Sequence, residues 1–364
     1  MKKIFLCLSL FCLVLLTGCG KKSEKDILKD FEKKVMEANS YYLTGKMELV
    51  NNEDVFNYNI SVSYKKEDYY KIELVNAIND HKQIILRNDE GVYIVTPSLN
   101  KSFKFQSDWP YNNSQVYLLS SLLDDINNDQ NHTFLNKNNE MIITSTVNYP
   151  NNEKLVNQKI YFNSDNLPTK VEVMDADGNI QIKMLFDKID LNTEFNDTYF
   201  DLNSILDINK INEKKALEEK QENKEENDGT NQEPNNSNEE EKEKDKTKQT
   251  ATIDDIIYPM YLPANTYLTS TERVATSDGE RLILTFTGDN PFVLMEEVSE
   301  YSDIPEIINT YGDVELIGSS LAVINDNSAN WFDSGIEYYI VSDVMSTDEL
   351  LQVVRSISVL PVSK

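Results

Sequence analysis

Two periods of apolar residues run through the first half of the chain. Ile27, Phe31 and Val35 are spaced four apart, with Leu28 and Met36 beside them, which predicts an amphipathic helix. The period then drops to two. Leu43, Gly45, Met47 and Leu49 alternate with polar neighbours. Phe56, Tyr58, Ile60, Val62 and Tyr64 do so against Asn57, Asn59, Ser61 and Ser63, which predicts a strand with one buried face. Tyr70, Ile72 and Leu74 continue the pattern, and Ile84–Leu86 and Val92–Val95 flank the short hairpin loop Asn88-Asp89-Glu90-Gly91. Phe103 and Phe105 alternate after Thr96-Pro97-Ser98-Leu99-Asn100. Val116, Leu119, Leu122, Leu123 and Ile126 return to helical spacing, with Asn113 or Ser114 as the expected cap. Strands resume at Met141–Val147, Leu155–Phe162, Thr169–Met174 and Ile180–Phe186, joined by turns such as Asp175-Ala176-Asp177-Gly178. Strands joined this way form an antiparallel meander, here one long twisted sheet with two helices over its concave face.

The pattern stops abruptly. From Glu218 to Thr250 there is no apolar residue, so this stretch cannot bury enough surface to offset the entropy of ordering. Disorder and a linker role are expected there. Beyond it, "YPMYLPANTYL" is punctuated by proline and reads as irregular or edge-like. Strands are expected at Arg281–Thr287, Phe292–Glu297, Val314–Ile317, Ser320–Ile324 and Glu337–Ser342. Ser346-Thr347-Asp348-Glu349 has the form of a capping box, opening a closing helix with Leu350, Val353, Val354 and Ile357 inward. The fold class is therefore α+β. A lipoprotein signal peptide (1–18) precedes an N-terminal domain (24–205), a disordered acidic linker (206–250) and a small C-terminal α+β domain (251–364).

The extreme N-terminus changes the expected location. Lys2 and Lys3 precede an apolar run from Ile4 to Leu16, about 13 residues and the length of a signal-peptide core. A membrane span needs roughly 20. Leu16-Thr17-Gly18-Cys19 resembles a bacterial lipobox: Gly18 flanks the cleavage site and Cys19 is the expected lipid attachment site. Of the three cysteines, Cys7 and Cys12 would leave with the leader, so the mature chain would hold no disulfide and no cysteine nucleophile. Stable anchoring takes more than one acyl chain, and the expected location is the extracytoplasmic face of the cell membrane, held by lipid.

Charge and chemistry narrow the function. A formal net charge of −27 repels phosphates and anionic headgroups, which argues against nucleic acid as a partner. His81 and His132 are the only histidines and stand in polar stretches, so surface positions and no metal site are expected. No Gly-x-Ser-x-Gly, P-loop or Gly-x-Gly-x-x-Gly is present. The pairs Asp124-Asp125 and Glu296-Glu297 are what an acidic chain contains by chance, and Asp175–Gly178 lacks the downstream glutamate of a calcium loop. No cofactor and no catalytic residue are expected. Trp109 and Tyr111, in Trp109-Pro110-Tyr111, are candidate anchors for a partner, with packing under the second helix as the alternative for Trp109. Trp331-Phe332 carries the same ambiguity.

The stretch "GVYIVTPSLNKSFKFQSDWP", after a lipobox and a helix, resembles the lipoprotein-carrier (LolA-like) superfamily. "LPTKVEVMDADGNIQIKMLFDKIDLNTEFNDTYFDL" resembles its last hairpin and closing segment. The resemblance implies a half-open antiparallel β-barrel lidded by helices. Within that superfamily, "NKSFKFQSDWPYNNSQVYLLSSLLDDI" is most similar to the germination lipoprotein (GerS) and its relatives in spore-forming firmicutes. That likeness implies a non-enzymatic role in sporulation or germination: binding a cell-envelope protein, a cell-wall amidase acting on cortex peptidoglycan. The germination lipoprotein lacks the linker and second domain. The latter resembles an uncharacterised domain of firmicute sporulation lipoproteins and brings no known chemistry. A binding module predicts a barrel filled by side chains. The alternative, carriage of a lipid or lipoprotein acyl chain, predicts an apolar cavity of a few hundred Å3. An envelope-sensing regulatory lipoprotein is a further alternative.

Overall fold

A computed structural model of the chain describes residues 22–51, 54–106, 113–137, 140–206, 252–253, 255–276 and 279–357. The signal peptide with Gly18 and Cys19, the Trp109–Tyr111 loop and nearly all of the 206–250 linker lie outside the described residues.

The first helix, α1 (Glu24–Glu37), follows a reciprocal cap in which Ser23 and Asp26 satisfy each other's backbone N–H groups. Its expected stripe of Ile27, Phe31 and Val35 is buried, each side chain contributing about 2 kcal/mol. The strands that follow are β1 (Ser40–Asn51), β2 (Asp54–Lys65), β3 (Tyr69–Asn76), β4 (Lys82–Asn88), β5 (Gly91–Thr96) and β6 (Lys101–Phe105). After α2 (Leu119–Asn128) come β7 (Thr133–Lys137), β8 (Glu140–Thr146), β9 (Leu155–Phe162), β10 (Pro168–Asp175) and β11 (Ile180–Leu191). Neighbouring strands pair antiparallel, and β11 returns to lie beside β1. The sheet stays open, with β7 at one end. Its concave face is covered by α1 and α2: this is the half-open, helix-lidded barrel that the resemblance implied. Gly45 permits the β1–β11 contact, since a Cβ there would overlap the Leu185 carbonyl where the register shifts.

Two local expectations change. α2 starts at Leu119 without a side-chain cap. Ser114 instead donates to Asp125 and accepts from the Asn148 N–H, while Ser121 accepts from the Gln115 N–H. Residues 113–118 are thereby held as a loop. The histidines are not bare surface groups either. His132 joins the Glu24 carboxylate at 2.7 Å and the Asp129 carbonyl at 2.7 Å, tying α2's exit to the start of α1. Burial opposes its charge, but these two hydrogen bonds outweigh that and raise its pKa. His81 is partly buried, and burial lowers its pKa against the pull of Asp333. The turn at Asp175 is as expected, with its carboxylate accepting from the N–H groups of Asp177 and Asn179.

The second half forms a seven-stranded antiparallel sheet. It comprises β12 (Thr266–Ala275), β13 (Glu280–Gly288), β14 (Phe292–Val298), β16 (Asp313–Ile317), β17 (Ser320–Ile324), β18 (Ser328–Asp333) and β19 (Ile336–Val341), closed by α3 (Thr347–Arg355). Ser346 caps α3 by accepting from the Glu349 N–H. Trp331 and Phe332 are core residues: Trp331 stacks on Tyr338 at 5.0 Å and Phe332 on Phe103 at 5.1 Å.

That last contact joins the two halves. β15 (Glu306–Thr310) leaves the second sheet and pairs parallel with β6, becoming the twelfth strand of the first. Leu321, Val323 and Phe332 enter the core beneath the first sheet. Gln83 accepts from the Leu321 N–H, and Tyr58 donates to the Gly318 carbonyl. Among the described residues no helix is long and apolar enough to cross a membrane.

Candidate functional site

Where the two sheets meet, a cavity of about 220 Å3 is left under the concave face. Its floor is the inward face of the first sheet: Met47 and Leu49 of β1, Leu74 of β3, Ile85 of β4 and Ile182 of β11. Met47, Leu49 and Leu74 belong to the alternating sets read from the sequence, whereas Ile85 and Ile182 fall within expected strands that show no stated alternation. One wall is the 113–117 loop with Tyr117, and another the 149–152 turn with Tyr149. The roof comes from the other sheet: Val314, Glu315 and Leu316 of β16, Leu321 of β17 and Arg355 at the end of α3. Neither half encloses the cavity alone.

Polar groups line the walls and roof, and three of them converge on Arg355. Arg355 Nη2 donates to Glu315 Oε1 at 2.8 Å and to the Asn151 carbonyl at 3.0 Å. Asn51 Nδ2 donates to the Arg355 carbonyl at 3.0 Å. Burial raises the Glu315 pKa, with Arg355 pulling the other way. Burial also raises the Tyr117 and Tyr149 hydroxyls, so both stay neutral donors. Behind the loop wall, burial pushes Asp125 up to about 6 in spite of hydrogen bonds from Ser114 and Gln158. Asp124, the preceding residue of α2, is exposed, and its charge adds to the rise of Asp125. Among the described residues no three His, Cys, Asp or Glu side chains are placed to hold a metal ion.

Sequence reasoning missed Arg355, Glu315 and Asn151, since all three depend on a contact between distant segments. One signal was available. Between Arg281 and Lys364 the chain contains a single cation, Arg355, on an otherwise apolar and acidic helix. The candidate anchors Trp109 and Tyr111 fall outside the described residues, but the ends of their segment are placed. Gln106 donates its N–H to the Thr310 carbonyl beside β15, and Asn113 lines the cavity. Trp331, the other candidate, is buried and unavailable.

Comparison with solved structures gives a putative outer membrane lipoprotein-sorting protein domain from Vibrio parahaemolyticus, 12% identical, covering 50% of this chain and 97% of that one, at a TM-score of 0.32. It also gives the CwlD amidase from Clostridioides difficile in complex with the GerS lipoprotein, 18% identical over 50% of this chain and 100% of that one, at a TM-score of 0.20. Scores this low carry no weight for what this chain binds. The sequence matches are firmer. Sporulation protein YdcC of Bacillus subtilis (strain 168) is 30% identical over 354 residues, spanning 97% of this chain and 96% of its relative. A family described as sporulation protein YdcC-like matches residues 1–200, and with both matches in hand this chain belongs to the sporulation protein YdcC-like family.

Proposed function

We propose that this chain is a non-enzymatic lipoprotein, anchored through Cys19 on the extracytoplasmic face of the membrane, that acts in sporulation by binding a cell-envelope protein, a cortex peptidoglycan amidase. Family membership supports the sporulation context. The observation that favours binding over carriage is the covered concave face. The second sheet and β15 close over the half-barrel and leave about 220 Å3. Pockets for drug-sized ligands run from about 300 to 1,000 Å3, and several acyl chains of a lipoprotein need more still. A carrier must open to load and unload, whereas here the opening is bridged by hydrogen bonds and a shared core. The barrel is nonetheless not filled as completely as a pure binding module would predict. Trp109 and Tyr111 remain the proposed contacts, on the segment that links the β6–β15 edge to the cavity wall.

The test is a pull-down from sporulating cells with the tagged chain carrying Cys19→Ser, with mass spectrometry reading proteins and lipids together. A stoichiometric cell-wall amidase, lost on Trp109→Ala, supports the proposal. Bound acyl lipid without a protein partner overturns it and favours carriage.

A further inference from the structure

We infer that the outer edge of β15 and the acidic cleft beyond it form the docking site for an extended, basic segment of a partner protein, which adds as a strand to β15 and sets a lysine or arginine side chain in the cleft. The inference rests on the protein-partner reading above and adds the chemistry by which that partner is held.

The backbone supplies the first reason. β15 is the last strand of its sheet among the described residues. The Glu306 N–H donates to the Asn100 carbonyl, and the Thr310 carbonyl accepts from the Gln106 N–H. Both residues therefore turn peptide groups towards β6. In a parallel ladder alternate residues face opposite ways, so Ile307 and Asn309 turn theirs outward. Native edges are usually blunted by lysine, a bulge or an inward charge. Pro305 blunts only the start of this one. The register with β6 then runs unbroken from Glu306 to Thr310, and Ile307 is half exposed. An edge of this kind is completed by a strand from another chain.

Charge supplies the second. β15 runs on through Tyr311 and Gly312 to Asp313, and these three line an open cleft of about 630 Å3. Its other walls include the turn at Asp326 and the start of α3 at Asp348. Three carboxylates thus line the cleft, and among the described residues no Lys, Arg or His does. Arg355, the only cation of α3, is committed to Glu315 and the Asn151 carbonyl, and Lys101 to Glu306. A cationic side chain entering the cleft meets a negative potential that no lining cation offsets. Tyr311, 69% exposed, adds an aromatic ring, which also favours a cation. A second copy of this chain fits poorly. Antiparallel self-pairing would lay the Asp303 end of one β15 against the Asp313 end of the other, in a chain of net charge −27.

The experiment is isothermal titration of the full chain carrying Cys19→Ser with three short peptides. One alternates lysine and valine, one alternates glutamate and valine, and the third is the lysine peptide with alternate backbone nitrogens methylated. The expected result is saturable one-to-one binding of the lysine peptide, about tenfold or more tighter than either control and weakening as salt is raised. Ile307→Pro removes only an outward N–H, and is expected to abolish binding while the circular dichroism spectrum is kept. Asp313→Asn with Asp326→Asn leaves the edge intact, and is expected to weaken binding by about tenfold and flatten its salt dependence. No saturable binding of the lysine peptide overturns the inference, as does equal binding of either control or undiminished binding to a folded Ile307→Pro chain. A dimer in sedimentation that Ile307→Pro dissociates overturns it too, and gives the edge to a second copy. The partner reading is tested separately by the pull-down. An amidase captured equally by the Ile307→Pro chain overturns this inference and leaves that reading in place, whereas lysine-peptide binding with no amidase captured does the reverse.

Discussion

The Arg355–Glu315 pair gives the sharpest test of how the two halves are held together. The groups meet at 2.8 Å, and each side chain is 20% exposed. At an effective dielectric of about 20, unit charges ~4 Å apart attract by roughly 4 kcal/mol, a gross figure that desolvation of both ions largely offsets. Removing one partner is a different matter. Arg355→Met leaves Glu315 buried against Tyr117 and Tyr149 and also breaks the bond to the Asn151 carbonyl. Breaking a fully buried pair costs about 3–5 kcal/mol, and the partial exposure here reduces that to roughly 2–3 kcal/mol. The double replacement Arg355→Met with Glu315→Leu removes both charges and should cost less than about 1 kcal/mol, so the two changes are strongly non-additive. The penalty also depends on pH, with a definite sign. Burial already raises the folded-state pKa of Glu315, and losing Arg355 raises it further. A raised carboxyl pKa means that the folded state holds the proton longer, so stability is lost as pH rises through the folded pKa. The Arg355→Met penalty should therefore be largest near pH 8 and shrink towards pH 5. Urea unfolding, followed by tryptophan fluorescence at both pH values, measures all four corners of the cycle. A penalty below about 0.5 kcal/mol, a double variant that costs the sum of the singles, or a pH-independent penalty would refute the reasoning.

Three further outcomes are expected. Gly45→Val should destabilise by about 3 kcal/mol or prevent folding, because its Cβ meets the Leu185 backbone and neither strand can move aside; urea midpoints measure it. Phe332→Ala should cost about 3–4 kcal/mol and, because the ring stacks on Phe103 across the seam, should split a single thermal transition into two in calorimetry. Glu296 is fully buried, accepts from the Ile257 N–H, and is pushed by burial up to about 7. Its contribution falls as pH rises from about 4.5 through 7, by up to about 3 kcal/mol, and Glu296→Gln should flatten the melting temperature across that window.

What could be read from the sequence follows from which contacts are local. β1 and β2 show their alternation because each buries one face against the helices. β4 and β5 are buried on both faces, the outer one by Phe200, Leu202 and Ile205, and so appear as runs without alternation. β15 was missed because its partner β6 lies some two hundred residues earlier, and because the strand is an edge with Ile307 half exposed. β7 and β12 are edges too, with little buried surface to impose a period. β18 was missed because Ser328, Ala329 and Asn330 are poor strand formers and take their place from the neighbours on either side. The cavity has the same character. Its floor was visible as the inward set of strands, while its roof required Asn51 and Arg355 to be neighbours across 304 residues.

This long-range construction bears on function. A carrier of the half-barrel type works by exposing its concave face, and in this chain a second sheet occupies that face. The occupation is not by packing alone. β15 adds a strand at the very edge where the first sheet could otherwise accept one, and Lys101 pairs with Glu306 across it at 3.3 Å. With that edge filled, strand addition by a partner has to use β15's own outer edge or the opposite end at β7. Around β15 the apolar side chains Ile304, Ile307 and Tyr311 meet solvent, interleaved with the polar Asp303, Glu306 and Asn309. β6 ends at this same edge, where the Gln106 N–H donates to the Thr310 carbonyl. A partner bound at this edge would touch both halves of the chain at once. Variants that loosen the seam, such as Phe332→Ala, should weaken its capture even though they lie buried and touch no partner. Capture at full strength by a folded Phe332→Ala chain would place the partner on the first sheet alone.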